Sequence, residues 1–160
     1  MLRKQNDKIA TNLDQTTEDL KPKQELVRDL KSLLTTQDHS DCQLTIGGQK
    51  YFAHKCILSA RSEVLRKLLA PQSNTNLSDP KNKQKPAPGG LAQNNTVEMN
   101  DIDPEIMPFL LNYLYTGETE NGINDRNVPS VMKVADKFDL AGLRNACLGF
   151  MENRINRGKF

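Results

Sequence analysis

The chain has 160 residues, 22 basic against 20 acidic side chains for a net charge of +2, and only 36% hydrophobic residues. That length supports one domain with a real core, while a mean hydropathy of −0.65 implies that part of the chain stays outside it. The balanced charge argues against a generic nucleic-acid binder, and no apolar run is long enough to span a membrane.

In chain order, residues 1–21 are polar, with Ile9, Leu13 and Leu20 as the large aliphatics after Leu2, and read as a flexible arm. They hold no apolar segment of the signal-peptide kind, so the expected setting is intracellular, cytoplasm or nucleus. Pro22 suits a first helical turn, where its missing N–H costs nothing. In KQELVRDLKSLL, Leu26, Leu30, Leu33 and Leu34 fall at i, i+4, i+7 and i+8, an apolar stripe on one helix face. A helix this short is marginal alone. Its stripe must be covered by the domain's own core or by a second copy.

Cys42, Leu44 and Ile46 alternate with Gln43 and Thr45, the period-2 pattern of a half-buried strand. Gly47-Gly48 supplies a tight turn with positive φ, and Gln49 to Ala53 returns as the second strand. After His54, the residues Cys56, Ile57, Leu58 and Ala60 mark a short helix. Ser62 can cap a second one, EVLRKLLA, which Pro71 ends. Residues 71–95 hold four prolines and two glycines among amides and lysines. Such a segment cannot bury enough surface to offset its ordering entropy, and it reads as a disordered surface insertion.

TVEMNDI reads as a strand. Asp103-Pro104-Glu105 then opens a helix, EIMPFLLNYLYTG, with cap, proline and acid in their preferred first-turn places. It is apolar nearly all round and so central, with a kink or early turn expected at Pro108 and an end at Gly117. A short strand is expected at Glu118 to Glu120. Val131, Val134, Ala135 and Phe138 mark the next helix, and Leu143, Ala146, Cys147, Phe150 and Met151 the last. Residues 157–160 should fray. Residues 22–156 thus read as one α+β domain.

Candidate chemistry is sparse. Cys42, Cys56 and Cys147 are odd in number and widely spaced, which suggests reduced thiols and no disulfide framework. With His39 and His54 they form none of the paired spacings of a zinc site. A Cys/His pair, or Ser59 or Ser62 with His54, lacks the context of a nucleophile elbow. Neither Gly-Gly pair fits a phosphate loop, and the lysines at 81, 83 and 85 read as solvated. No catalytic, cofactor or metal residue is assigned. His54 is expected to hold a strand-to-helix corner through a backbone group or Asp41. Tyr113 and Tyr115 are expected as core or partly buried anchors.

Three stretches occur in a fixed order: DCQLTIGGQKYFAHKCILSARSEVLRKLL, VEMNDIDPEIMPFLLNYLYTGE and VMKVADKFDLAGLRNACLGFM. Together they resemble the BTB/POZ domain over residues 24–153 apart from the insertion. With the leucine helix in front, the wording is most similar to MATH-BTB adaptors such as speckle-type POZ protein. The resemblance implies an α+β cluster of helices flanked by a small β-sheet, no enzymatic activity, and structural roles for Asp41 and His54. It implies a homodimer whose seam holds Leu26, Leu30, Leu33, Leu34 and Ile57, one patch meeting itself about a two-fold axis. It further implies an adaptor that recruits a cullin-3 ubiquitin-ligase scaffold, with contacts at Leu69, Leu77, Asp79, Tyr115 and Phe138. Here the insertion occupies the family's contact loop, and Leu69-Ala70 stand where a Phe usually ends the preceding helix. Self-assembly without cullin, in transcriptional or cytoskeletal complexes, is the alternative, with channel-type tetramerisation more distant.

Overall fold

The leucine segment is helical. In a computed structural model, which describes residues 20–70, 96–120 and 122–158, helix α1 occupies 20–36. Leu20 and Lys21, expected at the end of a flexible arm, are already helical, and Pro22 falls in the first described turn, where it breaks no bond of the described helix. The rest of that arm, the insertion at 71–95 and the tail residues 159–160 lie outside the described residues.

The hairpin follows. Strand β1 (Cys42–Ile46) pairs antiparallel with β2 (Gln49–Ala53), Cys42 facing Ala53 and Ile46 facing Gln49. Gly47 and Gly48 hold φ of 56° and 81°, the two positive values that a two-residue type I′ turn demands. At Gly47 a second constraint applies: a Cβ there would lie 2.7 Å from Pro104 Cγ. Cys42, Leu44 and Ile46 all point into the core, as the alternation requires. Strand β3 (Thr96–Glu98) lies parallel on the other side of β1, giving the order β2-β1-β3. It is shorter than TVEMNDI suggests. Met99 still donates to the Thr45 carbonyl, and the chain then turns toward Asp103-Pro104.

Helix α2 (Lys55–Arg61) and helix α3 (Glu63–Leu68) meet at Ser62, whose extended backbone ends one and whose hydroxyl caps the other. A 3₁₀ turn over Pro104–Ile106 leads into α4 (Met107–Thr116), and the Asp103 carboxylate accepts from the Glu105 N–H at 3.0 Å. Pro108 sits in the first turn of α4, so the break expected there takes the form of this 3₁₀-to-α junction. Gly117, at φ 77°, closes α4 by donating to the Tyr113 carbonyl. The strand expected at 118–120 does not form. The Glu118 N–H bonds the Thr116 hydroxyl at 3.1 Å, so the chain leaves the helix in a side-chain-closed turn.

Helices α5 (Val128–Lys137) and α6 (Ala141–Asn156) complete the domain. Phe138, Leu143 and Cys147 are fully buried, and the whole core is one cluster that takes in the inner face of β1 and these helices.

The His54 corner and the candidate interaction faces

His54 is buried where β2 ends and α2 begins. Its Nε2 lies 2.7 Å from the Asp38 carbonyl oxygen and its Nδ1 lies 2.7 Å from the Tyr115 hydroxyl. A carbonyl only accepts, so Nε2 carries the proton, and in the neutral ring Nδ1 must accept from the Tyr115 O–H. The same tyrosine oxygen accepts the His54 backbone N–H at 2.9 Å. The expected bond to a backbone group is thus present, while the alternative bond to Asp41 is not. Asp41 works one residue further on, where its carboxylate accepts the Lys55 N–H at 2.7 Å. His54 gives α2 no side-chain cap. Asp41, at the entry to β1, supplies it, countering the positive end of the helix.

These contacts leave little for chemistry. Burial pushes the Cys42 thiol up to about 12, with the nearby Asp41 charge adding to the effect. Burial likewise raises Cys147, with Asp136 contributing. Both thiols stay protonated at neutral pH and are poor nucleophiles or ligands. Tyr115 is also raised to about 12 by burial. Among the described residues, no group of three or more His, Cys, Asp or Glu side chains is arranged to hold a metal ion. No buried side-chain nitrogen or oxygen among them lacks a partner.

The leucine stripe is divided. Leu26 is 59% exposed, Leu30 and Leu33 are half-buried, and Leu34 packs against the domain's own core. Ile57 is half-buried on α2 and also packs partly inward. Leu34 and Ile57 thus divide their surface between the core and the outside. The expected cullin contacts fare differently. Leu69, Tyr115 and Phe138 are 6%, 4% and 1% exposed, so their side chains cannot touch a partner while the core is closed. Leu77 and Asp79 lie outside the described residues. Exposed beside Leu69 is Leu68, at 40%.

The Tyr115 partnership was not read from the sequence, although a signal exists. A hydroxyl on a helix apolar nearly all round must find a buried partner, and His54 offers one.

Comparison with known proteins agrees with this architecture. The model of the BTB/POZ domain matches residues 30–155. The chain is 31% identical over 129 residues to kelch-like protein 41a of Danio rerio, covering 81% of this chain and 19% of that protein. It is 29% identical over 126 residues to TD and POZ domain-containing protein 5 of Mus musculus, covering 79% and 32%. It therefore spans a fifth to a third of these relatives. Among solved structures, the BTB domain of human gigaxonin superposes with a TM-score of 0.56 at 24% identity, over 79% of this chain and 91% of that one. The BTB domain of zebrafish PATZ1 gives 0.59 at 18%, over 81% and 90%. With kelch-like and TD-and-POZ proteins both among the relatives, the narrower MATH-BTB affinity gives way to the family as a whole. Fold, motif order and relatives agree: the chain belongs to the BTB/POZ domain family, a protein–protein interaction module.

Proposed function

We propose that this chain is a homodimerising adaptor that brings a cullin-3 scaffold to a partner in the cytoplasm or nucleus. The observation that carries the dimer is Leu26, 59% exposed on a helix that also carries the half-buried Leu30 and Leu33. Such a row in water is costly, and a second copy offers the same row about a two-fold axis. The outward part of Ile57 extends the seam. Cullin recruitment is supported by the family resemblance, and Leu68 at the end of α3 is the exposed side chain proposed to meet the scaffold. Within the family the adaptor branch is retained on the wording A-H-K…A-R-S and Y-T-G.

Light scattering at micromolar concentration tests the dimer. The chain should run at twice its 18.0 kDa mass, and Leu30→Asp with Ile57→Lys should return it to monomer. A wild-type monomer sinks the reading. Calorimetric titration with the N-terminal region of cullin-3 tests recruitment, and Leu68→Asp should weaken it. The second reading, self-assembly without cullin, is favoured by the burial of Leu69, Tyr115 and Phe138. Silence in that titration at tens of micromolar would select it.

A further inference from the structure

The link between α1 and β1 carries backbone strain. Gln37 and His39 both hold φ 59°, a left-handed conformation in which a Cβ crowds the carbonyl. Histidine visits it more readily than most residues, and glutamine has no such aptitude. Between them stands Asp38, whose carbonyl accepts from His54 Nε2 at 2.7 Å. The ring making that bond is turned by Tyr115, whose hydroxyl reaches Nδ1 at 2.7 Å and the His54 N–H at 2.9 Å. A residue in the last turn of α4 thereby sets a bond at the foot of α1. A second tie joins the same elements, with Lys31 Nζ on α1 3.8 Å from the Glu118 carboxylate just past Gly117. Its groups are half exposed and it holds weakly. The buried histidine bond is the firm one.

We infer that Tyr115 is a positioning residue for the self-association face. It holds His54 as a latch over a strained hinge at residues 37–39, and the latch fixes the seat of α1 and hence of Leu26, Leu30 and Leu33. Strain in the hinge favours release, and the latch opposes it. The inference rests on the proposed seam, and its test reads the helix and the dimer separately.

Tyr115→Phe keeps the ring in the core and removes the hydroxyl. Exchange of the amides at 30–36 should accelerate about tenfold or more relative to β1 and α4, and the dimer should weaken by a similar factor. Adding Gln37→Gly and His39→Gly lets the hinge hold its φ without strain. Both readouts should then return toward wild type. Unchanged exchange in α1 overturns the latch. Equal acceleration in every element also overturns it, since Tyr115 would then support the fold and nothing more. Failure of the glycine pair to restore α1 removes the strained hinge. Should Tyr115→Phe not fold, the glycine pair alone decides: slower exchange in α1 supports the hinge, and faster exchange overturns it. A monomeric wild type in which α1 responds and is rescued disproves the seam and leaves the latch standing.

Discussion

Ser62→Ala removes one hydroxyl that closes two helices. Its oxygen accepts the Leu65 N–H at 3.1 Å, capping α3, and its proton goes to the Phe138 carbonyl at 2.7 Å, past the end of α5. Ser62 is 4% exposed, so water cannot replace either partner. Losing an N-cap costs about 0.5–2 kcal/mol, and leaving a buried carbonyl unpaired adds about 1–3 kcal/mol. Since one atom serves both bonds, the expected total is about 2–4 kcal/mol, a large part of a domain's typical stability. With a urea slope of about 1–3 kcal/mol per molar, the midpoint should fall by about 1–2 M with the slope unchanged. Protein concentration must be held fixed, because association raises apparent stability. Ser62→Asp separates the two roles. A carboxylate restores the cap but faces the Phe138 carbonyl with no proton to give, so at least about 1 kcal/mol of the loss should persist. A loss under about 0.5 kcal/mol for Ser62→Ala, the range of an ordinary surface substitution, would refute the double role.

Gly47→Ala should destabilise by about 1–3 kcal/mol, combining left-handed strain with a Cβ 2.7 Å from Pro104 Cγ. Gly48→Ala, with open space around it, should cost only the strain, and equal melting points for the two would exclude the Pro104 contact. Leu26→Ala, at a side chain 59% exposed, should change single-chain stability by less than about 0.5 kcal/mol while weakening the dimer about tenfold in a dilution series. Stability should also fall in alkali. Cys42 and Tyr115 are both held protonated up to about 12, against ordinary values of 9.0 and 10.0. Their raised values mean that the contribution is whole below pH 9 and is lost toward pH 12, by up to about 1.4 kcal/mol per pH unit per group. Cys42→Ala should reduce the loss between pH 9 and 10, leaving the part due to Cys147, and an identical slope with and without the Cys42 thiol counts against its burial as a cause.

What the sequence made legible was what periodicity and local chemistry encode. The alternation Cys42-Leu44-Ile46, the Gly47-Gly48 turn, the Ser62 cap and the Gly117 stop each depend on neighbours within a few residues, and each is where the residue types require it. The strand at 118–120 failed for the converse reason: residue types alone cannot say whether a neighbouring strand is present to pair with. The candidate site was less legible because its bonds are non-local. His54 to Tyr115 spans 61 positions and Ser62 to Phe138 spans 76. The burial of Phe138 could be foreseen from helical spacing. Its carbonyl partner could not.

The corner also shows why residues that look reactive need not react. A histidine, an aspartate, a tyrosine and a thiol lie close together there, the usual makings of an acid–base site. Their destinations decide otherwise. Nε2 of His54 serves the Asp38 carbonyl, the Asp41 carboxylate serves the Lys55 N–H, and the Tyr115 oxygen takes the His54 N–H. Three side chains thus close backbone groups that the α1–β1 link and the start of α2 leave open, and burial keeps the Cys42 proton in place. Catalysis needs a group whose proton can leave toward a substrate. Here His54, Asp41 and Tyr115 each aim a polar atom at the main chain, the His54 Nδ1 and the Tyr115 O–H close on each other, and moving any of them would open the joint between strand and helix. Polar atoms used in this way yield a rigid frame, the support that the seam proposed on α1 would need.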